Sequence, residues 1–462
     1  MATRKDLLKA QSFLSRRMTA AFVDRDPDDP TPPLRRVGTA SFVSVLLGVI
    51  LLAGTALIGM LRPGTGGDAW KEEGIIISDT TAGMLFVYSD AGLVPMNDVA
   101  SARLMAGGPK AAGPPRVVKV TTEALKGAKQ LPTLGIAGAP GQLPAAGDMQ
   151  ADPIRMCSSS PNSAGDRFIS LEFNASPVED QRASFVVKTS DGKQYLVTNG
   201  KYHLLWSPQT GQTPLAGGLP TVELPKLWLS ALPVGAPILP LTIDGVGRQP
   251  KKNPLNMRVG QLAVVEGSEG ADNRYYVHLD EGLSQVSYLD RIMIQTIENV
   301  PDPSIITEND LALALNAKFP ISFNTDIDPA KPKGPEGYGS LDEVSVCATF
   351  TTGENRTVVM SVDKDTPEMP PEHVKPYGNT VDYVGMDPLS GALLQNSKNP
   401  GEEAATFLVL NGETFPIPDI ASRRALGYGD VKPALVPGPL IDLMPSGLEP
   451  DLNLSFEKIG PV

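Results

Sequence analysis

The sequence predicts an α+β, strand-rich protein with one N-terminal transmembrane helix, and three observations predict it. An uncharged stretch, residues 37–61, lies between Arg35-Arg36 and Arg62. Short aromatic-led strand-and-turn patterns recur at fixed offsets along the remaining chain. The two cysteines, Cys157 and Cys347, are separated by one of those offsets.

The apolar stretch comes first. At about 1.5 Å per residue it makes a helix long enough to cross a hydrocarbon core of roughly 30 Å with some tilt. Eight basic residues precede it, Arg4, Lys5, Lys9, Arg16, Arg17, Arg25, Arg35 and Arg36, and few follow closely. Basic flanks stay in the cytoplasm, so the bulk of the chain is expected outside it. The stretch is longer than the apolar region of a secretory signal, about 7–15 residues, and reads as an uncleaved single-pass anchor in the plasma (inner) membrane. The tail before it carries five acidic residues, a net +3, which leaves −15 on the rest of a chain whose net charge is −12. An acidic exported body argues against nucleic acid as a ligand.

Within the tail, residues 4–23 read as an amphipathic helix. Thr3 and Asp6 form a capping pair. Leu7, Leu14 and Met18 fall near one face with Phe13 beside it, and Arg16 and Arg17 point elsewhere. The stripe needs a partner, either a bilayer surface or another protein. The acidic residues at 24–29 lack an EF-hand pattern and read as a solvated loop.

The exported part looks duplicated. Phe86-Val87-Tyr88-Ser89-Asp90-Ala91-Gly92-Leu93 matches Tyr276-Val277-His278-Leu279-Asp280-Glu281-Gly282-Leu283 at an offset of 190. Tyr195-Leu196-Val197-Thr198-Asn199-Gly200 matches Phe407-Leu408-Val409-Leu410-Asn411-Gly412 at 212, which also carries Pro225, Pro233 and Gly235 onto Pro437, Pro445 and Gly447. Each segment reads as strand, tight turn, strand. In the longer pair a proline then opens a short helix.

Cys347 follows Cys157 by the same 190 residues. An even count in an oxidising compartment predicts one disulfide, with two buried free thiols as the alternative. The strands around both cysteines, including 168–173, 183–188 and 357–362, are expected to make one central β domain. Four repeats would flank it in a pseudo-two-fold arrangement. The expected divisions are a cytoplasmic tail (1–36), the membrane helix (37–61), repeat one (70–110), the first part of the central domain (111–190), repeat two (191–250), repeat three (255–300), the second part of the central domain (301–405) and repeat four (406–455). Gly/Pro/Ala-rich runs at 106–115, 137–153 and 324–339 read as linkers.

No catalytic, cofactor-binding or metal-binding residue is predicted. A phosphate-binding P-loop needs G-x-x-x-x-G-K-[S/T]. Gly192-Lys193 and Gly200-Lys201 lack both the following hydroxyl residue and the earlier glycine. His203 and His278 fall in or beside predicted strands and read as structural. Glu179-Asp180 and Glu402-Glu403 read as solvated loop charge.

Taken together, the chain resembles the EccB family, a membrane component of type VII (ESX) secretion systems of actinobacteria. The likeness runs from Phe13-Leu14-Ser15-Arg16-Arg17-Met18 through Arg25-Asp26 and Pro33-Leu34-Arg35-Arg36. It continues in Asn97-Asp98-Val99-Ala100-Ser101-Ala102-Arg103-Leu104 and in Leu426-Gly427-Tyr428 with Val436-Pro437. The resemblance implies an elongated periplasmic body with a cysteine-bridged core and four repeat modules, and assembly with EccC, EccD, EccE and a mycosin protease; self-association through the repeats is expected of a scaffold with this duplicated body. It implies that Leu7, Phe13, Leu14, Arg16, Arg17 and Met18 dock on a partner subunit. Some members are described as ATPases. A structural subunit is therefore the leading expectation, with an extracytoplasmic nucleotide hydrolase or a cell-wall-binding module as alternatives.

Overall fold

The computed structural model describes the chain except residues 1–2, 24–34, 62–69, 163–164, 178–182, 207–218, 240–241, 268–272, 316–332, 353–356 and 364–377. The acidic loop at 24–29, Glu179-Asp180 and much of 324–339 lie outside the described residues. The chain forms two compact units. One comprises Met1–Lys71, Asp79–Ala82 and Lys119–Gly127, and the other holds the remainder.

The first unit carries two helices, α1 (Arg4–Val23) and α2 (Arg35–Leu61). The Asp6 carboxylate accepts from the Thr3 amide at 3.1 Å and its hydroxyl at 2.5 Å, which fixes the start of α1. The second helix is 27 residues long and takes in the whole of 37–61. Its described side chains, over 40–55, are exposed and uncharged, Phe42 and Leu52 among them. Among the described residues no helix is long and apolar enough to cross a membrane.

Beyond these two helices the described chain is built on five sheets. Four share a plan of three consecutive antiparallel strands with a fourth strand beside the first. Their antiparallel triplets are Ile75–Asp79, Leu85–Ser89 and Gly92–Met96; Phe185–Lys188, Gln194–Thr198 and Lys201–Leu204; Leu262–Val265, Arg274–Leu279 and Gly282–Val286; and Ala392–Asn396, Thr406–Leu410 and Glu413–Ile417. The added strands are Arg116–Val120, Thr221–Glu223, Ser304–Ile305 and Ala434–Val436, and the last three run parallel to the strand they join. In each sheet the third strand also makes one parallel bridge further along the chain: Leu93 to Gln130, Tyr202 to Val234, Leu283 to Leu315 and Thr414 to Ser446. The first sheet gains Leu134–Gly135 and the C-terminal Gly460–Pro461.

The 212-residue offset recurs in hydrogen bonds. Tyr202 donates its amide to Pro233 and accepts from Gly235, and Thr414 does the same with Pro445 and Gly447. Neither glycine admits a side chain. A Cβ on Gly235 would meet the His203 ring at 2.1 Å, and one on Gly447 would meet the Phe415 ring at 2.4 Å. Short helices stand at both predicted positions, Lys226–Ser230 capped by Pro225 and Gly438–Asp442 capped by Pro437.

The fifth sheet is central, in the order Val358–Asp363, Ser345–Phe350, Ile154–Ser158, Ile169–Glu172, Tyr383–Gly385. Cys157 and Cys347 face each other in register across its middle pair and are disulfide-bonded. One strand expected here is elsewhere: Phe185–Lys188 begins the second sheet, paired with Gln194–Thr198. The reason is local. A tight turn closes on Asp191, whose carboxylate accepts from the Thr189 hydroxyl at 2.5 Å, and the strand pairs with its neighbour in sequence.

The central sheet shares one apolar core with the second and fourth sheets, including Met156, Phe185, Trp228, Val346, Leu394 and Leu440. Trp228 is fully buried with its ring centroid 6.3 Å from that of Phe185. The first and fourth sheets share a second core through Leu104, Ile136, Leu393, Leu408 and Tyr428. The second and third share a smaller one through Leu196, Leu205, Ile238, Leu289 and Met293. The segment 137–153 is irregular but packed: Tyr428 donates its hydroxyl to the Pro144 carbonyl at 3.0 Å.

Reducing the covalent link tests the central pairing. In the chain-entropy model a loop of 190 residues contributes about 5 kcal/mol. Cys157→Ser should therefore lower the unfolding temperature by several degrees under oxidising conditions, read by circular dichroism. Trp228→Ala should cost about 3–5 kcal/mol in denaturant titrations.

Candidate interaction surfaces

The described residues separate into packed sheets and two exposed helices. Of the 25 large apolar residues exposed among those described, 15 lie in α1 and α2. In α1 the predicted docking residues Leu7, Phe13, Leu14 and Met18 are each 59–66% exposed, so this stripe has no partner among the described residues. Arg16 and Arg17 belong to the same helix and are exposed. An apolar stripe of this kind stays in water only at a cost of roughly 25 cal/mol per Å². That cost favours a bound partner.

The joints between the sheets are built differently, from cations that hold backbone carbonyls. Arg167 spans the two halves of the central sheet. Its Nη1 donates to Ser159 at 2.7 Å and Val344 at 2.9 Å, and its Nη2 to Leu341 at 3.0 Å and Asp342 at 2.7 Å. Ser159 follows the Cys157 strand and Val344 precedes the Cys347 strand, so the side chain supports the same seam as the disulfide. Arg103, from the helix Val99–Gly107, donates to the carbonyl of Leu426 beside the fourth sheet. The Arg291 guanidinium lies 5.0 Å from the Tyr275 ring and 4.9 Å from the Tyr288 ring, near the joint of the second and third sheets. The roles of Arg103 and Arg167 are not readable from sequence, because the carbonyls of Leu426 and Val344 that they hold lie far away in the chain.

The helix that Arg103 belongs to shows why the Asn97–Leu104 motif has its form. Asp98 caps it, accepting from the Ser101 amide at 2.6 Å and hydroxyl at 2.7 Å, and Ser101 in turn accepts from the amide of Ile136 at 2.9 Å. Burial pushes the Asp98 carboxyl above the usual carboxylate range. Asp419 and Ser422 repeat the cap in the fourth sheet, at 2.7 Å and 3.0 Å.

The residues weighed for catalysis are placed as structure. Both Gly-Lys pairs lie at hairpin turns followed by strands, Gly192-Lys193 before Gln194–Thr198 and Gly200-Lys201 at Lys201–Leu204. A P-loop feeds a helix instead. His203 is buried against Gly235, and its Nδ1 lies 2.9 Å from the Ala236 carbonyl. His278 is fully buried, and neither ring nitrogen has a hydrogen-bond partner. Glu402 accepts from Arg424 at 2.9 Å. Among the described residues no group of three metal-ligating side chains is present.

Sheets welded by apolar joints and backbone-clamping arginines, with an exposed amphipathic helix beside an apolar one, define a scaffold-type protein that presents surfaces. The chain belongs to the family described as type VII secretion system ESX-1, transport TM domain B, whose model matches residues 1–455. A relative in Mycolicibacterium smegmatis (strain MKD8), named ESX-1 secretion system ATPase EccB1, is 26% identical over 300 residues, 62% of this chain and 60% of that one. In Mycobacterium tuberculosis (strain CDC 1551 / Oshkosh), ESX-3 secretion system ATPase EccB3 is 26% identical over 298 residues, 60% of this chain and 53% of that one. The aligned region thus spans under two thirds of these relatives' length. Among solved structures, a chain of an intact ESX-5 inner membrane complex aligns over 99% of this chain and 95% of its own, with a TM-score of 0.63 and 20% identity. The EccB3 dimer from the ESX-3 core complex aligns over 83% and 99%, with a TM-score of 0.62 and 18% identity. At these identities the structures establish the fold.

Burial holds the His278 imidazole below its ordinary value of 6.5. The unfolded chain therefore takes up this proton before the folded one does. The stabilising contribution is complete above about pH 6.5 and is lost as the pH falls below it. Replacement by His278→Phe should make the unfolding temperature fall less between about pH 7.5 and 5.5, followed by differential scanning fluorimetry.

Proposed function

We propose that the chain is a structural subunit of a type VII secretion membrane complex, anchored by α2 as a single membrane span with its N-terminus in the cytoplasm. The family match over residues 1–455 carries this reading. The 27-residue helix behind a basic tail supports the anchor and its orientation. The second unit then forms the periplasmic part. Its four sheets with one strand plan and one bridging pattern support a body of four repeats about the central sheet. The disulfide between facing strands 190 residues apart supports a pseudo-two-fold relation of its halves. Assembly with EccC, EccD, EccE and a mycosin protease follows from the family resemblance, and self-association through the repeats is part of the same scaffold reading.

Leu7, Phe13, Leu14, Arg16, Arg17 and Met18 are the docking residues of this reading. A protein groove suits the stripe because aromatic and methionine side chains act as interface anchors while arginines serve the rim. The ATPase reading, which the names of the curated relatives raise, requires a phosphate cradle. The two Gly-Lys hairpin turns supply none.

The pair Leu14→Asp and Met18→Asp should leave the unfolding of the sheets unchanged and remove co-purification of partner subunits after mild detergent extraction. Full recovery of the complex from this variant would overturn the docking role.

A further inference from the structure

The third sheet holds a cavity that no joint uses. One wall is the apolar face of its strands and following helix, with Val259, Val277, Leu279, Val286 and Ile294. The opposite wall is the strap before the sheet, with Thr242, Ile243, Asp244 and Arg248. The strap is fastened at one end. Gly247 donates its amide to Val259 at 2.9 Å, Val259 donates to Arg248 at 3.0 Å, and Arg258 holds the Gly247 carbonyl at 2.9 Å. Arg248 also reaches the Asp280 carboxylate at 2.6 Å. Gly245 and Gly247, at φ of 76° and 83°, let the strap arch off the sheet between these bonds and Thr242. The space left beneath is about 210 Å³.

Two properties define what fits. A dry apolar cavity of about 150 Å³ suffices for benzene, so this one takes a single aryl or branched alkyl group. At its edge only one Asp280 oxygen is used by Arg248. The other, Oδ1, is buried and unpartnered, and a buried acceptor without a donor is costly. The rim also sets two carboxylates, Asp244 and Asp280, against one guanidinium. A ligand that brings an N–H donor and a positive charge therefore completes the site, and one that brings a carboxylate does not.

We propose that this cavity binds a small amine, an ammonium group carrying one aryl or branched alkyl body, with the ammonium donating to Asp280 Oδ1 and the body against Val277, Val286 and Ile294. The site is built within the second unit alone and does not depend on the secretion role. The full chain in phosphatidylcholine nanodiscs is titrated with 2-phenylethylamine and, in parallel, with 3-phenylpropionate, using ligand-observed NMR and protein-free discs to subtract partitioning. Saturable binding of the amine is expected at about 1 mM or tighter, as suits a ligand of this size. Asp280→Asn should weaken it at least tenfold, and Ile243→Trp, which fills the cavity from the strap, should abolish it. Absence of saturable amine binding, equal binding of the acid, or unchanged affinity in Asp280→Asn would overturn the proposal. Thermal unfolding checks each variant. Should Ile243→Trp fail to fold, the Asp280→Asn comparison decides alone.

Discussion

The second unit depends on one antiparallel pairing, Ile154–Ser158 against Ser345–Phe350. Bringing these strands together closes a long loop of chain, an entropic cost that only non-local contacts can offset. Three devices hold it closed: the ladder itself, the disulfide, and Arg167 bonded to carbonyls on both sides. The pairing also sorts the other sheets. The second and third lie inside the closed loop and share a core with each other. The first and fourth lie outside it and share theirs. The second and fourth alone also join the central core. Each half therefore reaches the central sheet through one member and extends away from it through the other.

This arrangement explains how such small sheets persist. A two-stranded hairpin is marginal in water, and three or four short strands need a covered face. The fourth sheet is covered on both. Ala392, Leu394 and Val409 turn toward the central core, while Leu393, Leu408 and Leu410 turn toward the first sheet. Its middle strand consequently reads as a continuous apolar run over Phe407–Leu410, the signature of a doubly buried strand. Where chain segments meet polar atoms at these joints, arginines and caps satisfy them, as Arg103 does at Leu426 and Ser101 at Ile136. Leaving such groups unpaired would cost about 1–3 kcal/mol each.

Local chemistry was legible in the sequence, and long-range chemistry was not. The Thr3–Asp6 cap, the Asn-Gly turns, the proline-led helices and the recurring glycines at 235 and 447 all act within a few residues or repeat at a fixed offset. The cysteines were legible because their spacing matched a second pattern. The place of Phe185–Lys188 was misread because alternation identifies a strand and says nothing of its partner. Arg103, Arg167 and the cavity under the strap were invisible for the same reason: each is made by segments that meet only in the folded chain. Arg103 even lay within a quoted motif, but its acceptor is 323 residues away.

The division between buried joints and exposed helices also bears on what the chain does. The sheets use most of their described apolar side chains on one another. In α1 and α2 the reverse holds, and apolar side chains stand exposed along both helices. Buried polar groups such as Asp98 and Ser101 serve the caps and joints of the sheets. What the sheets offer is fixed spacing: small β units held at set positions by a closed central seam.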